Sequence, residues 1–231
     1  MDDRGRIKKN LLDLFNKWAA PQLLNYEEPD RVGVPRGEPV GFSAKKFHAA
    51  LAQVLKPAFT LAEIAKLVGV SAGQVRVWRT EERFKKLAEE LQVGFVNYIS
   101  DQLDYDSKNN DKNYTLNFSC LVMFPDGIII YYHKLTESLL CITKQINQSQ
   151  NDYKLYVEMK ELMSQYVLFF QGLSLMEVSK NKMDAILLKI FPFIEGVLDY
   201  FLIILRNQEV DEDIKDEASS IVKIIALLCF V

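Results

Sequence analysis

Apolar positions recur at helical spacing through most of this chain. Over residues 5–20, Ile7, Leu11, Leu14, Phe15 and Trp18 share one face and predict an amphipathic helix that ends near Pro21. Residues 21–42 then hold four of the seven prolines (Pro21, Pro29, Pro35, Pro39) together with Gly33, Gly37 and Gly41, the pattern of an extended arm or linker. From Ser43 the apolar spacing returns in short pieces. Ser43 precedes a helix over 44–55 with Phe47, Leu51 and Val54 inward and Pro57 just past its end. Thr60-Leu-Ala-Glu63 reads as a capping box, in which the hydroxyl accepts from the third-residue amide and the carboxylate reaches back. Ser71-Ala-Gly-Gln74 reads as a second one. Only 11 residues separate Thr60 from Ser71, so the helix between them has about two turns. Thr80 followed by Glu81 and Glu82 starts another helix, with acidic residues where the helix dipole favours them, so the helix opened by Ser71 ends near Arg79.

The pattern lengthens beyond this point. A helix runs from Thr80 to about Asp104 through Phe84, Leu87, Leu91, Phe95 and Ile99, and a polar break covers 106–113. Residues 114–124 alternate as a strand would, but their surroundings and the turn at Pro125-Asp-Gly127 favour a helix. Further helices are predicted over 128–147, 152–178, 182–206 and 211–230, with a kink at Pro192, and short polar links make neighbours antiparallel. The expected fold is all-α: a first helix and Pro/Gly-rich arm (1–42), a three-helix N-terminal domain (43–90) and a C-terminal helical bundle (91–231). The last helix is apolar nearly all round, through Val222, Ile224, Ile225, Ala226, Leu227, Leu228, Cys229, Phe230 and Val231. A two-fold dimer interface, the centre of its own domain, or a chain that continues would each cover such a helix.

Composition narrows the function classes. At 49% hydrophobic and 26% charged, the chain has the balance of a globular protein. The most apolar stretch, 221–231, is 11 residues long and contains Lys223, too short to span a membrane, and the polar start (Met1-Asp-Asp-Arg4) carries no secretion signal. A cytoplasmic protein is expected. Cys120, Cys141 and Cys229 are far apart and odd in number, which predicts small buried hydrophobes in a reducing compartment. With two histidines (His48, His133) and no paired cysteines, no metal site is expected. The chain lacks a nucleotide-binding glycine loop, a nucleophile elbow and a kinase set, so neither a cofactor nor an enzymatic activity is expected. The net charge of −3 is unevenly divided: residues 1–90 carry 16 Lys+Arg against 12 Asp+Glu, and residues 91–231 carry 12 against 19. The first part therefore suits a polyanionic partner, although solvated faces produce similar differences.

Residues 61–78, Leu61-Ala-Glu-Ile64-Ala65-Lys-Leu-Val68-Gly69-Val70-Ser71-Ala-Gly-Gln-Val75-Arg-Val-Trp78, resemble the helix-turn-helix motif of DNA-binding proteins. Ala65 is small where the second helix crosses the first, Gly69 accepts the positive φ of the turn, and Ile64, Val68, Val70, Val75 and Trp78 are spaced to close a small core. With a helical C-terminal region following, the layout is similar to that of TetR-family bacterial transcriptional regulators.

The resemblance implies a recognition helix over Ala72–Arg79 that contacts double-stranded DNA. Val75 and Trp78 face inward on that reading, leaving Ser71, Ala72, Gly73, Arg76, Val77 and Thr80 outward. Arg76 is the candidate base contact, since a guanidinium pairs bidentately with guanine. Ala72 and Gly73 allow close approach, and Arg79, Arg83, Lys85, Lys86, Lys45 and Lys46 are candidate phosphate contacts. Arg31 and Arg36 in the arm are candidates for a minor groove. In the C-terminal region Tyr132, His133, Phe169, Phe170, Phe193 and Tyr200 are either plain core or the lining of a pocket for a small-molecule effector. The resulting expectation is a homodimeric transcriptional regulator. The alternative is a helical protein-interaction module that keeps the helix-turn-helix as a scaffold.

Overall fold

The structure, a computed structural model, describes residues 3–29, 41–109, 113–124, 126–148, 153–174, 188, 198–199, 201–208 and 210–229. Among these residues there is no strand, and the chain divides into two compact units, residues 1–101 and 102–231. Arg31, Arg36, Pro192, Phe193 and Tyr200 lie outside the described residues, as do the side chains of Ile224, Ile225, Leu227, Leu228, Cys229, Phe230 and Val231.

The first unit opens with α1 (Asp3–Leu24), which buries Leu11, Leu14, Phe15 and Ala19. Leu11, Leu14 and Phe15 belong to the predicted stripe, whereas Ile7 and Trp18, also predicted on it, are half-buried and Ala19 takes an inner place. The expected stop at Pro21 is not observed, because the helix continues to Leu24 and the Asn25 amide donates to the Pro21 carbonyl at 3.1 Å. A proline removes one donor, orphaning the carbonyl four residues earlier. Here both Lys17 and Pro21 are exposed, so that carbonyl is not sealed from solvent. The chain after α1 is anchored: Tyr26 stacks on Phe47 with ring centroids 3.9 Å apart, and its hydroxyl donates to the Phe42 carbonyl at 2.7 Å. Gly41 meets Pro29 so closely that a Cβ there would lie 2.2 Å from the proline ring.

Next comes α2 (Ala44–Ala52), capped by Ser43, whose hydroxyl accepts from the Lys46 amide at 3.3 Å. A 3-10 turn (Gln53–Leu55) extends it, and Ala49 through Leu55 are all buried. Phe47, expected inward, is only half-buried because it sits beneath Tyr26 at the surface. The capping box predicted for α3 (Leu61–Val68) is complete: the Glu63 amide donates to Thr60 Oγ1 at 3.3 Å, and the Thr60 amide donates to the Glu63 carboxylate at 2.8 Å. The Lys8 ammonium of α1 pairs with the same carboxylate and lies 4.5 Å above the Phe59 ring. These bonds, that from Lys8 first and then those from Thr60, hold the Glu63 carboxyl at about 2 against an ordinary 4.5. A depressed carboxyl favours the folded state above its unfolded value and loses that contribution as pH falls through its folded value. Acid titration should therefore weaken the α1–α3 contact between pH 4.5 and about 2. Glu63→Gln should flatten that part of the stability profile, and an unchanged profile would count against the contact.

Gly69 ends α3 in the left-handed conformation, φ 72° and ψ 37°, and the Val70 amide returns to the Ala65 carbonyl at 3.0 Å. Beyond it stands α4 (Ala72–Trp78), with Ser71 as its cap and Val75 buried, then α5 (Glu82–Lys108). α3 packs against both α2 and α4. A Cβ on Gly69 would touch nothing within 4 Å, so Gly69→Ala isolates the backbone term. Thermal denaturation of this variant should show a loss of about 1–2 kcal/mol, the cost of placing an L-residue in that region. No loss would mean that the turn relaxes to another geometry. The first half of α5 closes the unit, with Phe84, Phe95, Val96 and Ile99 buried and Phe95 set between Phe15 at 6.4 Å and Trp18 at 5.1 Å.

In the second unit, α6 (Tyr114–Leu121) resolves the strand-like alternation as a helix. Tyr114, Phe118 and Leu121 are buried on it, along with Asn117, which donates to the Asp106 carboxylate at 2.6 Å. α7 (Gly127–Gln148) and α8 (Tyr153–Ser174) run antiparallel, since Tyr132 approaches Phe170 while Thr136 receives the Tyr166 hydroxyl. α9 (Glu212–Cys229) runs parallel to α8: Lys160 pairs with Asp213 at 2.6 Å, and one turn on Ser164 donates to Glu217 at 3.2 Å. Residues 201–206, also helical, lie between them in the chain, with Phe201 and Ile204 buried. Of the cysteines expected to be buried, Cys120 is, but Cys141 is exposed. It follows Leu140, itself exposed, on the outer side of α7. The buried positions on the same helix are taken by the larger Leu135 and Leu139.

Candidate nucleic-acid interface

The surface centred on α4 owes its geometry to two neighbours. Val75 is fully buried and anchors the helix against α3, while the turn at Gly69 sets the direction in which α4 leaves. Ser71, Gly73, Gln74, Arg76, Val77 and Thr80 are exposed, and Ala72 and Arg79 are half-buried. Val77 is 63% exposed. Trp78, expected in the core, is only half-buried. Its ring lies tilted against Phe84 of α5 at 6.4 Å.

The second predicted capping box is half made. Ser71 Oγ accepts from the Gln74 amide at 3.1 Å, but the return bond from Gln74 is absent, and the carboxamide is left at the surface. The cap pattern assigns this side chain to the helix start and so hides it as part of the outward face. Its helical phase, 100° from Val75, is the signal that would find it. The Thr80 hydroxyl donates to the Val77 carbonyl at 2.7 Å, and this closes the end of α4.

The basic side chains expected around this face divide into two groups. Lys46 pairs with Glu81 and lies 5.1 Å over the Phe42 ring, with 18% of its side chain exposed. Lys85 pairs with Glu82 at 3.4 Å. Lys45, Arg83 and Lys86 are exposed, and neither they nor Arg79 and Arg76 have an ion-pair partner among the described residues.

The residues expected to line an effector pocket belong to the second unit. Tyr132, Phe169 and Phe170 are fully buried in a cluster with Tyr131 and Tyr166: Tyr132 meets Phe169 at 5.5 Å and Tyr166 at 6.2 Å, and Phe169 meets Phe170 at 5.2 Å. His133 is half-buried beside Tyr132. Among the described residues the buried hydroxyls of Tyr114, Tyr131 and Tyr132 make no hydrogen bond of normal geometry, although Tyr131 lies near Tyr114 and Asp104, and Tyr132 near Thr136. Desolvation, as the largest cause, pushes the Tyr132 phenol up to about 12 and raises Tyr114 and Tyr131 further, with the nearby Asp104 adding to both. All three stay neutral in the working range of pH.

Among the described residues no group of three His, Cys, Asp or Glu side chains could hold a metal ion, and no helix is long and apolar enough to cross a membrane. The chain matches no family model, and neither a curated protein nor a solved structure shows significant similarity to it.

Proposed function

We propose that this chain is a sequence-specific DNA-binding regulator of transcription, with α3 and α4 acting as a helix-turn-helix and α4 lying in the major groove. The observation that carries the proposal is the arrangement around Gly69. Two short capped helices meet at a left-handed glycine, and the second is held by one buried valine while Arg76, Val77 and Gly73 face out. An exposed guanidinium on such a face suits guanine O6 and N7, and Lys45, Arg79, Arg83 and Lys86 suit the flanking phosphates. Lys46 and Lys85 contribute only if they leave Glu81 and Glu82. Two copies associating through the second unit, where Leu140 and Ile203 are exposed, would present two such faces to half-sites about 34 Å apart or a multiple of it. A small effector would bind in the second unit, at the aromatic cluster of Tyr132, Phe169 and Phe170.

Binding to duplexes across a salt series tests the reading. Arg76→Ala should cost about 1–3 kcal/mol and relax preference at one position of each half-site. Lys86→Ala should weaken binding to all sequences alike and lower the salt slope by about one. Affinity indifferent to salt, or no affinity at low salt, would sink the proposal.

One observation favours a second reading, a protein-interaction module: Glu81 and Glu82 neutralise two of the lysines beside α4. A stoichiometric protein partner in a pull-down, with no DNA affinity, would select it.

A further inference from the structure

Three residues of α4 have features that the packing of the first unit does not use. Gly73 lies inside the helix, where glycine is unfavourable. A Cβ there would meet nothing closer than Ser71 Oγ at 3.9 Å, so alanine would fit. Val77 is β-branched, which a helix disfavours, and 63% exposed. Gln74 completes no cap, and its carboxamide is exposed with no bond among the described residues.

These residues share one side of the helix. Measured at 100° per residue from buried Val75, Gly73 and Val77 both fall within about 20° of the opposite direction. Gln74 and Arg76 flank that centre at about 80° on either side. The outermost line is thus a glycine and a valine one turn apart, with an amide on one flank and a guanidinium on the other.

The chemistry matches the edge of an A·T pair. A carboxamide offers one donor and one acceptor, the pair that adenine N7 and N6 require. An isopropyl group packs on the thymine methyl, and a helix glycine lets the backbone come close. Gln74 and Val77 are about 4.5 Å apart along the axis, comparable with the ~3.4 Å between stacked base pairs, so they reach neighbouring pairs. Resting on the DNA-binding reading above, we infer that Gln74 and Val77 set base preference: Gln74 selects an adenine and Val77 a thymine at the adjacent pair, beside the guanine addressed by Arg76.

The test is selection from a randomised duplex library with the full chain, run in parallel on wild type, Gln74→Ala, Gln74→Glu and Val77→Ala. Circular dichroism should show the same helix content in all four, since the replaced side chains are exposed. Wild type should enrich a site with adjacent A·T pairs. Gln74→Ala should flatten one of these positions and lower affinity roughly 5- to 150-fold. Gln74→Glu should move that position towards C·G, because a carboxylate accepts from cytosine N4. Val77→Ala should flatten the neighbouring position. A wild-type motif retained unchanged by every variant would overturn the assignment while leaving DNA binding intact. No enrichment and no duplex affinity in the wild type would overturn the DNA-binding reading and this inference together.

Discussion

Phe95→Ala is expected to cost the first unit about 3–5 kcal/mol, the range for truncating a fully buried aromatic ring. Phe95 is the point where α5 meets α1: its ring lies 5.1 Å from Trp18 and edge-on to Phe15 at 6.4 Å, and all of it is buried. Each such ring pair contributes about 0.5–1.5 kcal/mol beyond the area it buries. Removing the ring opens a cavity beneath α1 that the neighbouring helix cannot fill without shifting. Trp18 is half-buried in the intact unit and would become more exposed. In a Trp78→Phe background, Trp18 emission should therefore move to longer wavelength in the same temperature range in which helix content is lost. Phe95→Leu should recover most of the stability. A loss below about 1 kcal/mol would mean that α1 is not held through this ring.

A similar loss, about 3–5 kcal/mol, is expected for Phe169→Ala in the second unit. Phe169 lies at the centre of the aromatic cluster, with Phe118 and Tyr131 at 5.9 Å, Tyr132 at 5.5 Å and Phe170 at 5.2 Å. It joins α6, α7 and α8, and Gly172, one turn beyond, lets α8 approach so closely that a Cβ there would lie 2.9 Å from the Phe118 ring. The truncated protein should melt earlier, and its amides in α7 and α8 should lose hydrogen-exchange protection. Unaltered protection would show that the cluster closes around the void. The same experiment bears on the effector reading. If the cluster binds an apolar small molecule, the variant should take up such a molecule and regain stability, as engineered apolar cavities do.

Much of the local structure was legible. Ser43, Thr60 and Ser71 each start a helix where their hydroxyls fall, since capping depends on groups only three residues apart. Gly69 was readable as the left-handed turn for the same reason. The outward face of α4 was legible as far as Arg76 and Val77, but Gln74 was not. A glutamine three residues after a serine satisfies the cap pattern whether or not it makes the bond.

Other features needed residues distant in sequence. The fate of Pro21 depended on whether the carbonyl it orphans faces solvent, and no local pattern encodes that. Lys46 and Glu81 are 35 residues apart and Lys8 and Glu63 are 55 apart, so their pairing, and with it the number of free cations beside α4, follows from how the helices pack. The half-burial of Trp78 follows from its packing against Phe84 of α5, a contact that the periodicity of α4 does not encode.

Local chemistry along the chain is enough for the helical class, the short capped helices of residues 43–80, the turn at Gly69 and the outward position of Arg76. All of these depend on hydrogen bonds and periodicities within a turn or two of the chain. Packing in three dimensions was needed to close the first unit on Phe95, to run α8 antiparallel to α7 but parallel to α9, and to pair some lysines with acidic partners while leaving others open. Those are contacts between segments far apart in the chain, chosen by shape and charge complementarity once the helices exist.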